Sequence, residues 1–240
     1  MRHSILALWS MPRSRSTAFF RMMSERGDFQ VLHEPFSNFT QFGHLDVGGR
    51  TVHSEGALVD AIRGLAADGP LFFKDTTDER YADVLSDVDF LGRDATHTFL
   101  IRHPEETIAS YHALNPDVGC AQIGAAHLHE LYRRTEEVTG TEPVVLDAAD
   151  LVADPEGIVA AYCGRVGIPY LPDALSWSAG ERDEWRRTAR WHRDASASTG
   201  FTTRPDRYDL DVANHPVLSG HLRHHLPFYD DLHRRRLTAG

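Results

Sequence analysis

Apolar residues along the first two thirds of the chain fall into short unbroken runs, separated by polar turns and by stretches of helical period. Residues 5–9 (ILALW), 29–33, 71–75, 96–101 and 143–147 are such runs. They are too short for buried helices and lack the alternation of a half-exposed strand, so each reads as a strand covered on both faces of a parallel sheet. Between them, residues 17–25, 54–67, 76–85, 104–111, 120–138 and 155–166 read as helices. Pro104 and Pro155 stand in first turns, where a missing N–H does no harm, and Asp154 is placed to cap. Residues 37–53 show no clear period and contain Gly48-Gly49, which predicts a loop. Beyond Pro169 the strand pattern stops. Three tryptophans, Trp177, Trp185 and Trp191, punctuate an Arg-rich segment that leads to a polar patch at 196–203, expected to be flexible. A helix is expected over 216–235.

Strand and helix alternate through the first 166 residues, which predicts an α/β fold. Its form is a three-layer arrangement with a central, mainly parallel sheet flanked by helices. The expected organisation is one domain over 1–240. Residues 1–166 would form the nucleotide-binding core and 167–240 a mostly helical and looped part of the same domain.

Composition narrows the function classes. The formal charge of −10 argues against a general nucleic-acid binder. Two cysteines give neither a disulfide framework nor zinc spacing, as expected of a cytoplasmic protein. No apolar run nears the ~20 residues of a membrane helix. The histidines, His221, His224 and His225 among them, show no H-x-x-x-H with a nearby acid, so no metal is expected. Of 25 basic residues only Lys74 is lysine. Where arginine serves as the general cation, a lone lysine suggests a place that wants a compact ammonium.

The organising stretch is 4–20. A buried strand ends in the polar turn at 10–16 and a helix follows, so the free N–H groups of the helix start and its dipole favour an anion. Arg13 and Arg15 add charge, and Ser14, Ser16 and Thr17 add hydroxyls. The loop lacks the G-x-x-x-x-G-K-[ST] of nucleoside triphosphatases. Pro12-Arg13-Ser14-Arg15-Ser16-Thr17 instead resembles the 5′-phosphosulfate loop, P-[KR]-S-G-[ST]-T, of sulfotransferases that use 3′-phosphoadenosine 5′-phosphosulfate (PAPS). Arg15 departs from the pattern by standing in the glycine place.

A second resemblance lies at 98–114. Arg102 at a strand end and Ser110, about 9 Å along the following helix, match the spacing of the pair that holds the PAPS 3′-phosphate in this family. The resemblance spans about residues 4–147. The family's C-terminal R-K-G-x-x-G is absent; Arg193 and Ser196, in a segment of suitable donors, are the nearest substitute.

The resemblance implies a PAPS-dependent sulfotransferase that acts on a hydroxyl of a small molecule and yields 3′-phosphoadenosine 5′-phosphate (PAP). Nucleic acid and membrane are not expected as partners. Arg13 takes the place of the loop cation, and Lys74 resembles the lysine that touches the sulfuryl group. The family's K-T-H becomes Lys74-Asp75-Thr76, so its histidine base is missing. Glu34, after the second strand, is the expected base, with His33 and Asp75 as rivals. The acceptor pocket would draw on 36–53, 115–130 and the segment after 170. Two other readings stay open: an ATP- and magnesium-dependent phosphotransferase of related fold, and a non-catalytic nucleotide-binding module. The residues do not choose between sulfation that is kept and sulfation that activates a hydroxyl for elimination or cyclisation.

Overall fold

All five apolar runs become strands of one sheet in the computed structural model, which describes residues 4–201 and 208–239. In chain order the elements begin with β1 (Ile5–Ser10), α1 (Ser16–Arg26), β2 (Gln30–His33) and α2 (Pro35–Phe42). Next come the hairpin β3 (Leu45–Val47) and β4 (Arg50–Val52), α3 (Glu55–Ala67), β5 (Leu71–Thr76) and α4 (Ala82–Ser86). Then follow β6 (Ala95–Ile101), α5 (Pro104–His112), α6 (Ala125–Thr139), β7 (Val144–Asp147), α7 (Ala148–Ala153) and α8 (Pro155–Val166). The C-terminal part holds α9 (Arg193–Ala197) and α10 (Leu218–Arg234).

The sheet order is β2-β5-β1-β6-β7, with every pairing parallel. From β1 the chain crosses to one side, and from β5 it crosses to the other. The carboxyl end of β1 is therefore the switch point, where crevices open in α/β sheets. Alternate β1 residues feed two cores. Ile5, Ala7 and Trp9 join Phe36, Phe73, Phe99 and Tyr132 on one face; Leu6 and Leu8 join Phe19, Phe72 and Tyr162 on the other. Each large apolar side chain so buried contributes roughly 1.5–3 kcal/mol. Trp9, fully buried, donates its indole N–H to His97 Nδ1 at 2.9 Å. A buried indole thus has the partner it needs.

Three expectations need correction. Residues 37–53 are not a loop but hold most of α2 and the β3–β4 hairpin. The helix expected over 76–85 shrinks to α4, because Thr76 and Thr77 continue the sheet edge; Thr77 N–H donates to the Ser10 carbonyl at 3.0 Å. The helix expected over 120–138 breaks at Gly124, whose φ is +81°. A Cβ there would lie 2.7 Å from Pro12 Cδ and 2.9 Å from the Thr77 carbonyl oxygen, so the residue lets two backbone segments meet. Of the polar patch expected at 196–203, residues 202 and 203 lie outside the described residues.

Candidate active site

The switch point opens into a cavity of about 420 Å³. The turn after β1 forms one wall and is pinned from below. Met11 N–H donates to the Leu100 carbonyl at 3.1 Å, Ser10 Oγ to the Asp75 carbonyl at 2.9 Å, and Ser14 Oγ to the Met11 carbonyl at 2.6 Å. Ser14 therefore braces the turn from within, while Arg13, Arg15, Ser16 and Thr17 line the cavity. Among the described residues the non-glycine positions with positive φ are Arg13 (59°), Arg15 (65°) and Glu34 (49°), and all three line it. A left-handed L-residue costs roughly 1–2 kcal/mol, so backbone strain is gathered at this one place. Arg15 caps α1 in that conformation. Its angle explains why the resembling loop favours glycine there.

Arg102 and Ser110 come together through Arg13. Arg102 Nη1 donates to the Arg13 carbonyl at 2.7 Å, and Arg13 Nε donates to Ser110 Oγ at 3.0 Å. The Tyr208 hydroxyl also donates to Ser110 Oγ, at 2.9 Å. Both Arg102 and Ser110 are buried yet line the cavity. Arg102 Nε donates to Glu106, an exposed acid four residues on, at 2.9 Å. Arg13 pairs loosely with the exposed Asp194 at 3.7 Å. Both acids are exposed, so an anionic ligand could compete with them for these cations.

The other end of the cavity is built at the tips of β2 and β5. His33 lies opposite Lys74 in the sheet register, and Glu34 N–H donates to the Lys74 carbonyl at 2.7 Å. Lys74 Nζ, fully buried, donates to Glu34 Oε1. Burial works against a charge on Glu34, but Lys74, with His33 and His192 beside it, more than offsets this and holds the carboxyl well below the usual carboxylate range. Glu34 Oε2 lies 3.7 Å from His192 Nε2 and 4.0 Å from His33 Nδ1. Burial pushes His192 down to about 4 and His33 well below its ordinary value, so both rings are neutral near pH 7. Thr17 Oγ1 and His192 Nδ1 are 3.0 Å apart, a hydrogen bond that links the phosphate-type turn to this group.

His192 lines the cavity and was not singled out by the sequence; a histidine after Trp191 in an Arg-rich segment carries no spacing signal. The rivals for the base fall elsewhere. His33 does not line the cavity, and its ring nitrogens have no hydrogen-bond partner among the described residues. Asp75 Oδ1 and Oδ2 accept the backbone N–H groups of Ser37, Phe36 and Thr76 and the Ser37 hydroxyl, tethering the start of α2. Burial, with the charge of Glu34 nearby, nonetheless pushes Asp75 up to about 7. The C-terminal substitutes also fall outside the lining. Arg193 is exposed, and Ser196 Oγ accepts the Trp185 indole N–H at 3.1 Å; Asp194, Ala195 and Ser198 face the cavity instead. Ser37, Gln41, Asp78, Asn115 and Gln122 give the remaining wall a polar character.

A model of the family described as "Sulfotransferase domain" matches residues 3–236. Two curated proteins of Arabidopsis thaliana are similar in sequence. "Branched-chain-amino-acid aminotransferase-like protein 2" is 28% identical over 213 residues, and "Branched-chain-amino-acid aminotransferase-like protein 1" is 27% identical over 215. Each alignment takes in 85% of this chain, which spans only 37% of the length of either relative. Among solved structures, a sulfotransferase from Alicyclobacillus acidocaldarius superposes with a TM-score of 0.50 at 15% identity. That match covers 82% of this chain and 97% of the other, and it shows a shared fold.

Proposed function

The chain belongs to the sulfotransferase-domain family, and from that premise we propose that it moves a sulfuryl group from PAPS to a hydroxyl of a small polar molecule, releasing PAP. The observation that carries the reading is a single cavity with cations at both ends. Arg13 draws Arg102 and Ser110 together at one end, and the buried Lys74–Glu34 pair stands at the other. The N-terminus of α1, with Arg15, Ser16 and Thr17, would hold the 5′-phosphosulfate. Arg102 and Ser110 would hold the 3′-phosphate, a fork and one hydroxyl suited to such an anion.

When bound, the donor supplies an electron-poor sulfur and a phosphate leaving group. The acceptor oxygen bonds to sulfur, the bond from sulfur to the bridging phosphate oxygen breaks, and the acceptor proton must go to a base. By analogy with phosphoryl transfer, the protein's share is positioning and cations. Lys74 would turn its compact ammonium toward the sulfuryl oxygens. That turn loosens its hold on Glu34, whose carboxylate then becomes a stronger base and accepts the proton. His192, neutral and bonded to Thr17, would keep Glu34 oriented from the other side. Whether sulfate stays in the product or leaves in a later elimination is decided by the acceptor. The reading takes the protein as cytoplasmic, with no nucleic acid or membrane as partner.

A thermal-shift comparison tests it. PAP without metal should stabilise the fold, by about 2.7 kcal/mol at a hundredfold excess over its dissociation constant. A shift with ATP and magnesium but none with PAP would overturn the proposal in favour of a phosphotransferase.

A further inference from the structure

The cavity carries its charges unevenly. Arg13, Arg15 and Arg102 line it around the turn after β1, and Asp78 and Glu79 line it just after β5. Among the described residues no ion pair reaches either acid. Arg80, their neighbour in sequence, is held by Glu130 through two bonds of 2.7 Å. Arg190, which also lines the cavity, lies over the Trp191 ring at 4.5 Å instead. Asp78 Oδ1 accepts the Thr76 hydroxyl at 2.7 Å. Burial outweighs that bond and, with the charge of Glu34 adding to it, pushes Asp78 up to about 6. The carboxyl is still largely ionised near pH 7. A carboxylate drawn out of water without a cation is costly, and a cationic ligand would offset that cost.

Tyr111 supplies a second, independent observation. It is only 6% exposed, yet its hydroxyl has no hydrogen-bond partner among the described residues. The charges that act on that hydroxyl are those of Asp78, Glu79, Arg13 and Arg190, and all four residues line the cavity, as Tyr111 does. The hydroxyl therefore points into it. A buried tyrosine hydroxyl usually finds a partner, and a ligand would provide one. The Tyr111 ring meets Trp191 edge-on with centroids 5.2 Å apart, so an aromatic wall stands beside the two acids. Carboxylates next to aromatic rings suit an organic ammonium, whereas Mg²⁺ and Ca²⁺ want a full set of oxygen ligands. Because the charge of Glu34 reaches Asp78, the proposed base and the unpaired acid lie within the span of one small molecule.

Resting on the sulfotransferase reading, we propose that the acceptor is a cationic amino alcohol. Its hydroxyl meets Glu34, and its ammonium is held by Asp78 and Glu79 and donates to the Tyr111 oxygen. An ammonium so held has no lone pair with which to attack sulfur, so transfer goes to oxygen.

The test is calorimetry on the full chain loaded with PAP, which does not depend on turnover. The probes are ω-amino alcohols of increasing length, each matched with the neutral alkanol and the ω-hydroxy acid of the same length. The best amino alcohol should bind at least tenfold more tightly than its neutral match, as a charge-assisted hydrogen bond implies. Asp78→Asn, which still offers an oxygen to Thr76, should cancel that preference, and Tyr111→Phe should reduce it. The thermal shift that PAP induces in each variant reports whether the fold is intact. Equal binding across the matched sets, a preference for the hydroxy acids, or a preference that survives Asp78→Asn overturns the proposal. So does Mg²⁺ that displaces the amino alcohol in competition, which would make the two acids a metal site. Such results with PAP binding intact leave the sulfotransferase reading standing, whereas absence of PAP binding fails both.

Discussion

Replacing Arg15 by glycine and, separately, by alanine resolves two effects that the native residue combines. Arg15 lines the cavity with a cation, and it holds φ at 65° at the start of α1. Both variants remove the cation. A charge-assisted hydrogen bond is worth roughly 1.5–3 kcal/mol, so each should bind PAP ~10–100-fold more weakly by calorimetry. Only glycine removes the strain. A left-handed L-residue costs roughly 1–2 kcal/mol, against ~0.5–1 kcal/mol for the extra freedom of glycine in the unfolded chain. The glycine variant should therefore be about 0.5–1 kcal/mol more stable than the alanine variant. For a chain of this length that is a Tm difference of ~1–4 °C. Two results would refute the reasoning: an alanine variant as stable as the glycine one, or PAP affinity in both within twofold of the parent.

Glu34→Gln should lower turnover by ~10²–10⁴-fold with PAP affinity kept; near-normal turnover would move the base to another group, with His192 first in line. Lys74→Arg keeps charge but not size, so it should damage turnover far more than PAP binding, and equal losses would make Lys74 a binding residue. Arg102→Ala should weaken PAP at least tenfold and leave adenosine 5′-phosphosulfate, which lacks the 3′-phosphate, nearly unaffected. Equal losses for the two ligands would make Arg102 structural. Stability should fall on acidification between about 6.5 and 4, because His192 and His225 sit at about 4 in the fold while unfolded imidazoles take protons near ~6.5. In that window the unfolded chain binds more protons and is favoured. Thermal unfolding across this range should show a smaller slope in His192→Gln, and a flat profile in the parent would sink the argument.

The strands were legible because burial on both faces leaves a mark that needs no partner to be seen: ILALW reads as a strand by itself. Glu34, directly after one such run, and Lys74, near the end of another, could be placed at neighbouring strand tips. The hairpin was not legible as strands. Leu45–Val47 and Arg50–Val52 are too short to show a period, although Gly48-Gly49 between them was a turn signal in plain view. Helix α2 has residues of weak helix preference, PFSNFTQF, and its start is held by Asp75 from another strand. No local pattern can announce a tether that arrives from 39 residues away. The grouping of His192 with Thr17 and of Cys120 with His225 is likewise tertiary, made by segments 175 and 105 residues apart.

The sheet order also bears on how the molecule is made. β1 occupies the centre, yet both its neighbours, β5 and β6, are encoded far downstream, the second ending at Ile101. At ~5–20 residues per second of synthesis, the apolar segment that becomes β1 waits roughly 5–20 s before both edges can be covered. Pairings this distant also slow the folding of a completed chain. A nascent chain therefore carries this apolar strand uncovered until β6 has been made. Slower translation between β1 and β6 would lengthen that exposure, and a chaperone that binds extended apolar segments would find its target there.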